Sequence, residues 1–349
     1  MNKNHHFSIF ALFSGIILLL AAFAANAWTA HANTPAGPFI PGMWTKYPGN
    51  PVLNTGTSGV WDDLWIFGPG MILDEPTYKM WYTAFSTASH SMKIGYAEST
   101  NGTDWTKSPS NPVLLPGNTG SWDADGVSYP TVIKEDATHY KMWYTGVDAS
   151  NVGRVGYATS SDGISWTKYV SNPVLNVGSA GAWDSTYVGQ PSVIKVGTTY
   201  KLWYRGGSAT GGAIGYATSQ NGLVWDKHDP AITGGSGAWD DTPYQPEVIF
   251  DGIGYHMWYS GEDQTHNLFQ MGYATSPDGA QWTRKGMVLP QGAAGAWDDA
   301  SADNAAVLQV GATLKMWYSG FHGQSYRILY ATAPATILDH RIFLPEVIK

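Results

Sequence analysis

The sequence predicts an all-β fold: a five-bladed β-propeller with four antiparallel strands per blade. Three observations predict it. A phrase close to Tyr-Lys-Met-Trp-Tyr returns five times, at 78–82, 140–144, 200–204, 255–259 and 314–318. A Trp-Asp pair returns with it, at Trp61, Trp122, Trp183, Trp239 and Trp297, spaced 61, 61, 56 and 58 residues apart. A period in that range with several short strands per unit is the mark of propeller blades. Lastly, no convincing helical period follows the first 27 residues, while 41 glycines and 14% aromatics suit short strands and tight turns.

The chain opens on a processing signal. Residues 1–27 carry Lys3, an apolar run from Phe7 to Phe23 and a small-x-small site at Ala25-Asn26-Ala27. A second such site stands at Ala30-His31-Ala32, and an uncleaved membrane anchor is the competing reading. No later stretch is long and apolar enough to span a bilayer as a helix. The expectation is export, no membrane association after cleavage, and a monomer. Residues 28–42 would be a linker, 43–332 the propeller and 333–349 a tail that either packs on the ring or serves sorting. There is no cysteine, so no disulfide holds the fold. A net charge of −8 argues against nucleic-acid partners.

Each unit reads as four strands. An Asn-Pro-Val-Leu segment and the Trp-Asp pair lead into an x-Pro-x-Val-Ile strand such as Tyr129-Pro130-Thr131-Val132-Ile133. The Met-Trp-Tyr strand follows, then an Ile-Gly-Tyr-Ala strand and a Trp-Thr-Lys strand. Alternation and turn residues support these assignments. Asn101-Gly102, Asp162-Gly163, Asn221-Gly222 and Asp278-Gly279 predict two-residue hairpins between the third and fourth strands. The fifth unit stops at Ile328-Leu329-Tyr330-Ala331 without a fourth strand. The missing piece stands at Met43-Trp44-Thr45-Lys46, so the N-terminal strand should complete the last blade and hide an open edge.

Repetition separates scaffold from site. Fifteen of the 17 tryptophans recur in every unit and belong to the core; Trp28 and Trp65 do not. The recurring Asp62, Asp123, Asp184, Asp240 and Asp298 should serve turns or backbone capping. One reaction needs one acid and one base, so a catalytic set should break the symmetry. The positions that do vary surround the x-Pro step. They are Gly68, Tyr129, Gln190, Gln245 and Asn304, preceded by Phe67, Ser128, Gly189, Tyr244 and Asp303. Two residues further on stand Gly70, Thr131, Ser192, Glu247 and Ala306. Amides, phenols and a few carboxylates at a channel mouth suit a sugar, whose C–H faces meet aromatics and whose hydroxyls meet amides. A water-filled polar channel is the plain alternative.

These units resemble the five-bladed propeller superfamily of arabinanases, levansucrases and invertases, which includes glycoside hydrolase families 43, 32, 68 and 130. The resemblance runs from about Met43 to Thr332. It implies three acids at the channel mouth: two aspartates immediately before a Pro, and a glutamate two positions before one. Gly68, Tyr129, Gln190 and Gln245 stand before Pro69, Pro130, Pro191 and Pro246, and none is an acid. The carboxylates left are Glu247 and Asp303, with Asp125 or Asp63 in the loops leading in. Glu247 and Asp303 are the expected catalytic pair. Trp65, Tyr129, Tyr187, Gln190, Tyr244, Gln245, Asn304 and Arg205 are the expected substrate-binding set. Arg205 replaces a Thr or Ser and reads either as a partner for a carboxylate or uronic acid or as a solvated strand end. Glu262, His266 and His322 are expected in loops on the same face.

Two function classes follow: a glycoside hydrolase with a rearranged acid set, and a carbohydrate-binding or protein-binding propeller that has lost the acids. A sialidase-like reading of Ser160–Trp166 is weaker, since that motif belongs to six-bladed rings with an arginine triad. No cofactor is expected, and no metal site is legible.

Overall fold

The computed structural model describes residues 44–209, 211–234, 239–263 and 268–335. The predicted signal, the linker, most of the tail, Trp28, Met43 and His266 lie outside them. Strand β1 is Thr45–Lys46. The first unit contains β2 (Trp65–Asp74), β3 (Thr77–Phe85), β4 (Met92–Ser99) and β5 (Thr106–Lys107). The second contains β6 (Gly126–Asp136), β7 (His139–Val147), β8 (Gly153–Ser160) and β9 (Thr167–Lys168). The third has β10 (Tyr187–Val196), β11 (Thr199–Ser208), β12 (Gly211–Ser219), β13 (Asp226–Lys227) and the short β14 (Ile232–Thr233). The fourth has β15 (Thr242–Phe250), β16 (Tyr255–Asp263), β17 (Leu268–Ser276) and β18 (Thr283–Leu289). The fifth has β19 (Ser301–Val310), β20 (Thr313–His322) and β21 (Ser325–Pro334). The structure is all-β, with no α-helix among the described residues.

Within each unit, successive strands pair antiparallel. β1 pairs antiparallel with β21, Thr45 opposite Thr332, so the N-terminal strand supplies the fourth strand of unit five. Short parallel contacts such as Met92 with Gly126 and Phe269 with Ser301 join some neighbouring units. Hydrogen bonding thus groups the strands into two open sheets of 13 and 8 strands. Packing goes further: β2 lies against β6, β6 against β10, β10 against β15, β15 against β19, and β19 back against β2.

The repeated residues build the joints between units. Trp81, Trp143, Trp203, Trp258 and Trp317 are fully buried. Four of them donate an indole N–H to a glycine carbonyl of a neighbouring unit, Trp81 to Gly163, Trp143 to Gly222, Trp203 to Gly279 and Trp317 to Gly102, each at 2.8 Å. Those glycines follow the Asn or Asp of the predicted hairpins. The hairpins are longer than two residues: six residues, 100–105, separate β4 from β5. Asn101 Oδ1 accepts the amides of Thr103 and Asp104, and Trp105 Nε1 donates to Gly102 O, so an Asx turn replaces the tight hairpin. Only the glycine takes a positive φ, 86° at Gly102.

The recurring aspartates are corrected in detail. Each is buried and ion-paired rather than merely capping a turn. Lys46 meets Asp298 at 2.5 Å, Lys107 meets Asp62 at 2.5 Å, Lys168 meets Asp123 at 2.6 Å and Lys227 meets Asp184 at 2.6 Å. In unit four Arg284 meets Asp240 at 3.3 Å. The cation comes from the outermost strand in every case, so the pair pins that short strand to its unit.

Candidate functional site

Five inner strands, β2, β6, β10, β15 and β19, surround a cavity of about 480 Å³. Ile72, Ile133, Ile194, Ile249 and Leu308 line its body. At one end stand the residues before the x-Pro step. All five inner strands carry a bulge there, each shifting register by the same step, as between Phe67 and Gly70 and between Asp303 and Ala306. All five residues at this step, four before a Pro and Asn304 before Ala305, take left-handed φ values: 55° at Gly68, 50° at Tyr129, 53° at Gln190, 48° at Gln245 and 52° at Asn304. Non-glycine residues adopt this region at a cost, and such positions cluster at functional sites.

Hydroxyls from the preceding unit hold these bulges. Tyr129 N donates to Thr83 Oγ1 at 2.8 Å, Gln190 N to Thr145 Oγ1 at 2.7 Å, Asn304 N to Ser260 Oγ at 3.1 Å and Gly68 N to Ser319 Oγ at 3.0 Å. The fifth equivalent position is Arg205, which has no hydroxyl to offer Gln245. Sequence reasoning missed this clamp, because a Thr or Ser after Trp-Tyr reads as ordinary strand.

The bulges turn an aromatic set toward the mouth. Phe67 packs edge-on to Tyr129 at 5.5 Å and lies 5.8 Å from Tyr326. Gln245 Nε2 reaches Tyr129 Oη at 3.4 Å, bringing together residues two units apart. The side-chain oxygens of Gln190, Gln245 and Asn304 are buried with no hydrogen-bond partner among the described residues. Buried amide oxygens left unpaired are costly and are ready acceptors for a ligand's hydroxyls. Tyr326 was not foreseen, although it breaks the repeat at the level where other units have Met92, Gly153, Gly212 and Phe269.

Trp65 does not face the mouth as expected. It is 7% exposed, stacks on Phe85 at 5.1 Å and donates its N–H to Gln324 O at 2.8 Å. It backs the wall formed by Phe67 and Tyr326. Arg205 is partly buried rather than a freely solvated strand end: its guanidinium lies 4.9 Å from the Tyr187 ring and 4.2 Å from the Tyr244 ring. Glu262 and His322 stand on strands rather than loops. Tyr244 donates its hydroxyl to Glu262, and His322 Nδ1 meets Asp299 at 2.9 Å.

The two expected catalytic carboxylates belong to separate networks. Asp303 is 3% exposed and takes hydrogen bonds from Ser301 Oγ, at 2.5 Å, and from Asn304 Nδ2. Burial pushes it up to about 6. Its charge also raises the already buried phenols of Tyr129 and Tyr326. Glu247 lies deeper, half-buried with its open side on the channel. It accepts the Val307 amide at 3.1 Å and the Ser192 hydroxyl at 3.4 Å. Burial pushes it up to about 8, so it is mostly protonated at neutral pH. No cation pairs with it among the described residues.

Glu247 has the same place as Thr131 and Ser192, whose hydroxyls accept Val193 N at 3.4 Å and Val248 N at 3.0 Å from the next unit. Three positions of inner strand separate its level from that of Asp303, roughly 7–10 Å of rise once the bulge is allowed for. That exceeds the 5–5.5 Å of a retaining pair and overlaps the 6.5–9.5 Å of an inverting pair before any lateral offset is added. Asp63 does not complete a pair: the Gly59 and Thr87 amides and the Thr87 hydroxyl hold it down to about 2. Asp125 has its carboxyl raised by burial and by Asp148.

No family model matches the chain. In sequence it is similar to the uncharacterized protein Rv1502 of Mycobacterium tuberculosis, 29% identical over 190 residues. That match covers 51% of this chain and 61% of the relative. In structure it is similar to a glycosyl hydrolase from Bacteroides ovatus, with TM-score 0.69 and 18% identity over 84% of this chain and 94% of the other. A beta-1,2-mannobiose phosphorylase from Listeria innocua gives TM-score 0.67 at 15% identity, covering 84% and 98%. A third structure, from work on the GH130 family of mannoside phosphorylases and its hydrolases targeting beta-1,2 mannosidic linkages in Candida mannan, gives 0.67 at 17% identity, covering 89% and 97%. The fold is shared with these glycoside hydrolase and phosphorylase structures.

Proposed function

We propose that the chain is an exported five-bladed propeller, residues 43–332, that binds an oligosaccharide or polysaccharide at the mouth of its central channel. The observation that carries this reading is where the repeat breaks. The residues that depart from five-fold repetition gather at one end of the channel. There they present aromatic edges, unpaired amide oxygens, one buried acid and one unpaired guanidinium. Sugars are recognised by that mixture. The cyclic packing of five inner strands supports the blade count, and the carbohydrate chemistry of the structural neighbours agrees with the ligand class.

Binding is favoured over two-carboxylate hydrolysis because no acid stands before Pro69, Pro130, Pro191 or Pro246 and because Glu247 and Asp303 are each engaged in a separate hydrogen-bond network. A second reading has one observation of its own: Asp303, held near pKa 6 by burial, retains its proton far better than an ordinary aspartate. It would serve as a general acid, protonating the glycosidic oxygen as it leaves while water or inorganic phosphate forms the new bond to the anomeric carbon. Isothermal titration against arabinan, xylan, fructan and mannan oligomers, with sugar release measured in parallel with and without phosphate, tests both. Binding without release is the expected result. Release that is lost in Asp303→Asn would establish the second reading, and neither binding nor release across the panel would refute the carbohydrate assignment.

A further inference from the structure

We propose that Arg205 is an anion subsite within the mouth, so that the ligand taken there carries a carboxylate or phosphate group. The inference rests on reading the mouth as a saccharide site. Four units place a hydroxyl at this position, and each hydroxyl holds the neighbouring bulge. Unit three gives up that contact and installs a cation. A purely architectural position would keep the hydroxyl.

The cation is held rather than neutralised. Tyr187 and Tyr244 flank the guanidinium, at 4.9 and 4.2 Å, and fix its plane. No salt bridge or hydrogen bond to the Arg205 side chain occurs among the described residues, and its Nε is buried without a partner. Glu262, on β16 of the next unit, is engaged by the Tyr244 hydroxyl instead. Burial raises the phenols of Tyr129, Tyr187 and Tyr244, and the positive charge of Arg205 opposes that rise. A stacked, planar guanidinium with unused N–H groups matches the paired oxygens of a carboxylate or phosphate, and partial burial strengthens that pairing. Uronic-acid residues and inorganic phosphate both offer this chemistry.

The test uses the full chain and its Arg205→Thr variant. The substitution restores the hydroxyl found in the other units, so its melting temperature should be no lower than that of the wild type. The probes are tri-galacturonate, its fully methyl-esterified form and inorganic phosphate, titrated calorimetrically. At least tenfold tighter binding of the acid than of the ester, lost in Arg205→Thr, supports the subsite with a uronate as ligand. Phosphate binding that the substitution abolishes supports it with the inorganic ion as the source. Equal affinity for acid and ester, unchanged by the substitution, overturns the subsite while leaving the saccharide mouth intact. Failure of the wild type to bind any probe or any neutral oligomer of the wider panel overturns both.

Discussion

At the scale of single residues, a side chain's neighbours in the fold decide its role more than its type does. Glu247 reads as a catalytic acid in the sequence, yet it takes the place of a serine or threonine that bridges two inner strands. Its raised pKa has a consequence for stability. A carboxyl with a folded pKa of about 8 and an ordinary unfolded value near 4.3 favours folding most below the unfolded value. That contribution is lost as pH rises between the two. Asp303 behaves alike between its unfolded value and about 6. Glu247→Gln keeps an acceptor for the Val307 amide and cannot ionise. It should therefore match the wild type at pH 4.5 and melt at a higher temperature at pH 8.5. Melting curves across that range check this, and an unchanged difference between the two proteins at both ends would contradict it. Trp65 carries the same lesson: its uniqueness was legible, but its burial behind Phe67 and Tyr326 was not. Burial depends on Phe85 and Gln324, which are remote from one another in the chain.

At the scale of strands, most of the design is legible because it repeats. The glycine of Ile-Gly-Tyr-Ala explains itself once the packing is seen. A Cβ at Gly95 would stand 2.5 Å from Trp61 and 2.6 Å from Tyr82. Unit five has Leu329 in that place, and its Trp297 is 37% exposed, the most open of the Trp-Asp set. The outermost strands are only two residues long in the first three units and depend on their buried ion pairs. Lys107→Met would strand Asp62, 3% exposed in its side chain, without a cation. Breaking a buried pair from one side costs on the order of 3 kcal/mol. Urea unfolding should show a loss of about that size for Lys107→Met and a smaller one for the double variant with Asp62→Asn. Equal losses would contradict a buried-charge origin. The bulge clamps of Thr83, Thr145, Ser260 and Ser319 escaped sequence reasoning, since a hydroxyl reveals its acceptor role only when the next unit's amide is placed beside it.

At the scale of the molecule, the joints are uneven. Lys79, Lys141, Lys201 and Lys315 each lie over a tyrosine of the neighbouring unit, at 4.5–5.1 Å. Between units four and five, His256 and Leu314 stand where that pair would be. Trp258 Nε1 also has no hydrogen-bond partner there among the described residues. This joint depends instead on the chain's own beginning, where Trp44 packs edge-on to Trp258 at 6.0 Å and Lys46 pairs with Asp298. Deleting residues 1–54 removes Trp44, Lys46 and the buried Leu53 together. The expected result is a fall in melting temperature on the order of 10 °C, read by circular dichroism. No change would mean that the N-terminal strand is not the closure.

The most direct test of a saccharide site at the channel mouth is a crystal structure of the chain soaked in the oligosaccharide that titration selects. The expected result is a sugar ring against Tyr129, Tyr187, Tyr244 or Tyr326, with a hydroxyl within hydrogen-bond reach of Gln190, Gln245 or Asn304 and any acidic group on Arg205. A saccharide bound on the outer faces of the units, or at the opposite end of the channel near Lys134 and Lys195, would contradict it.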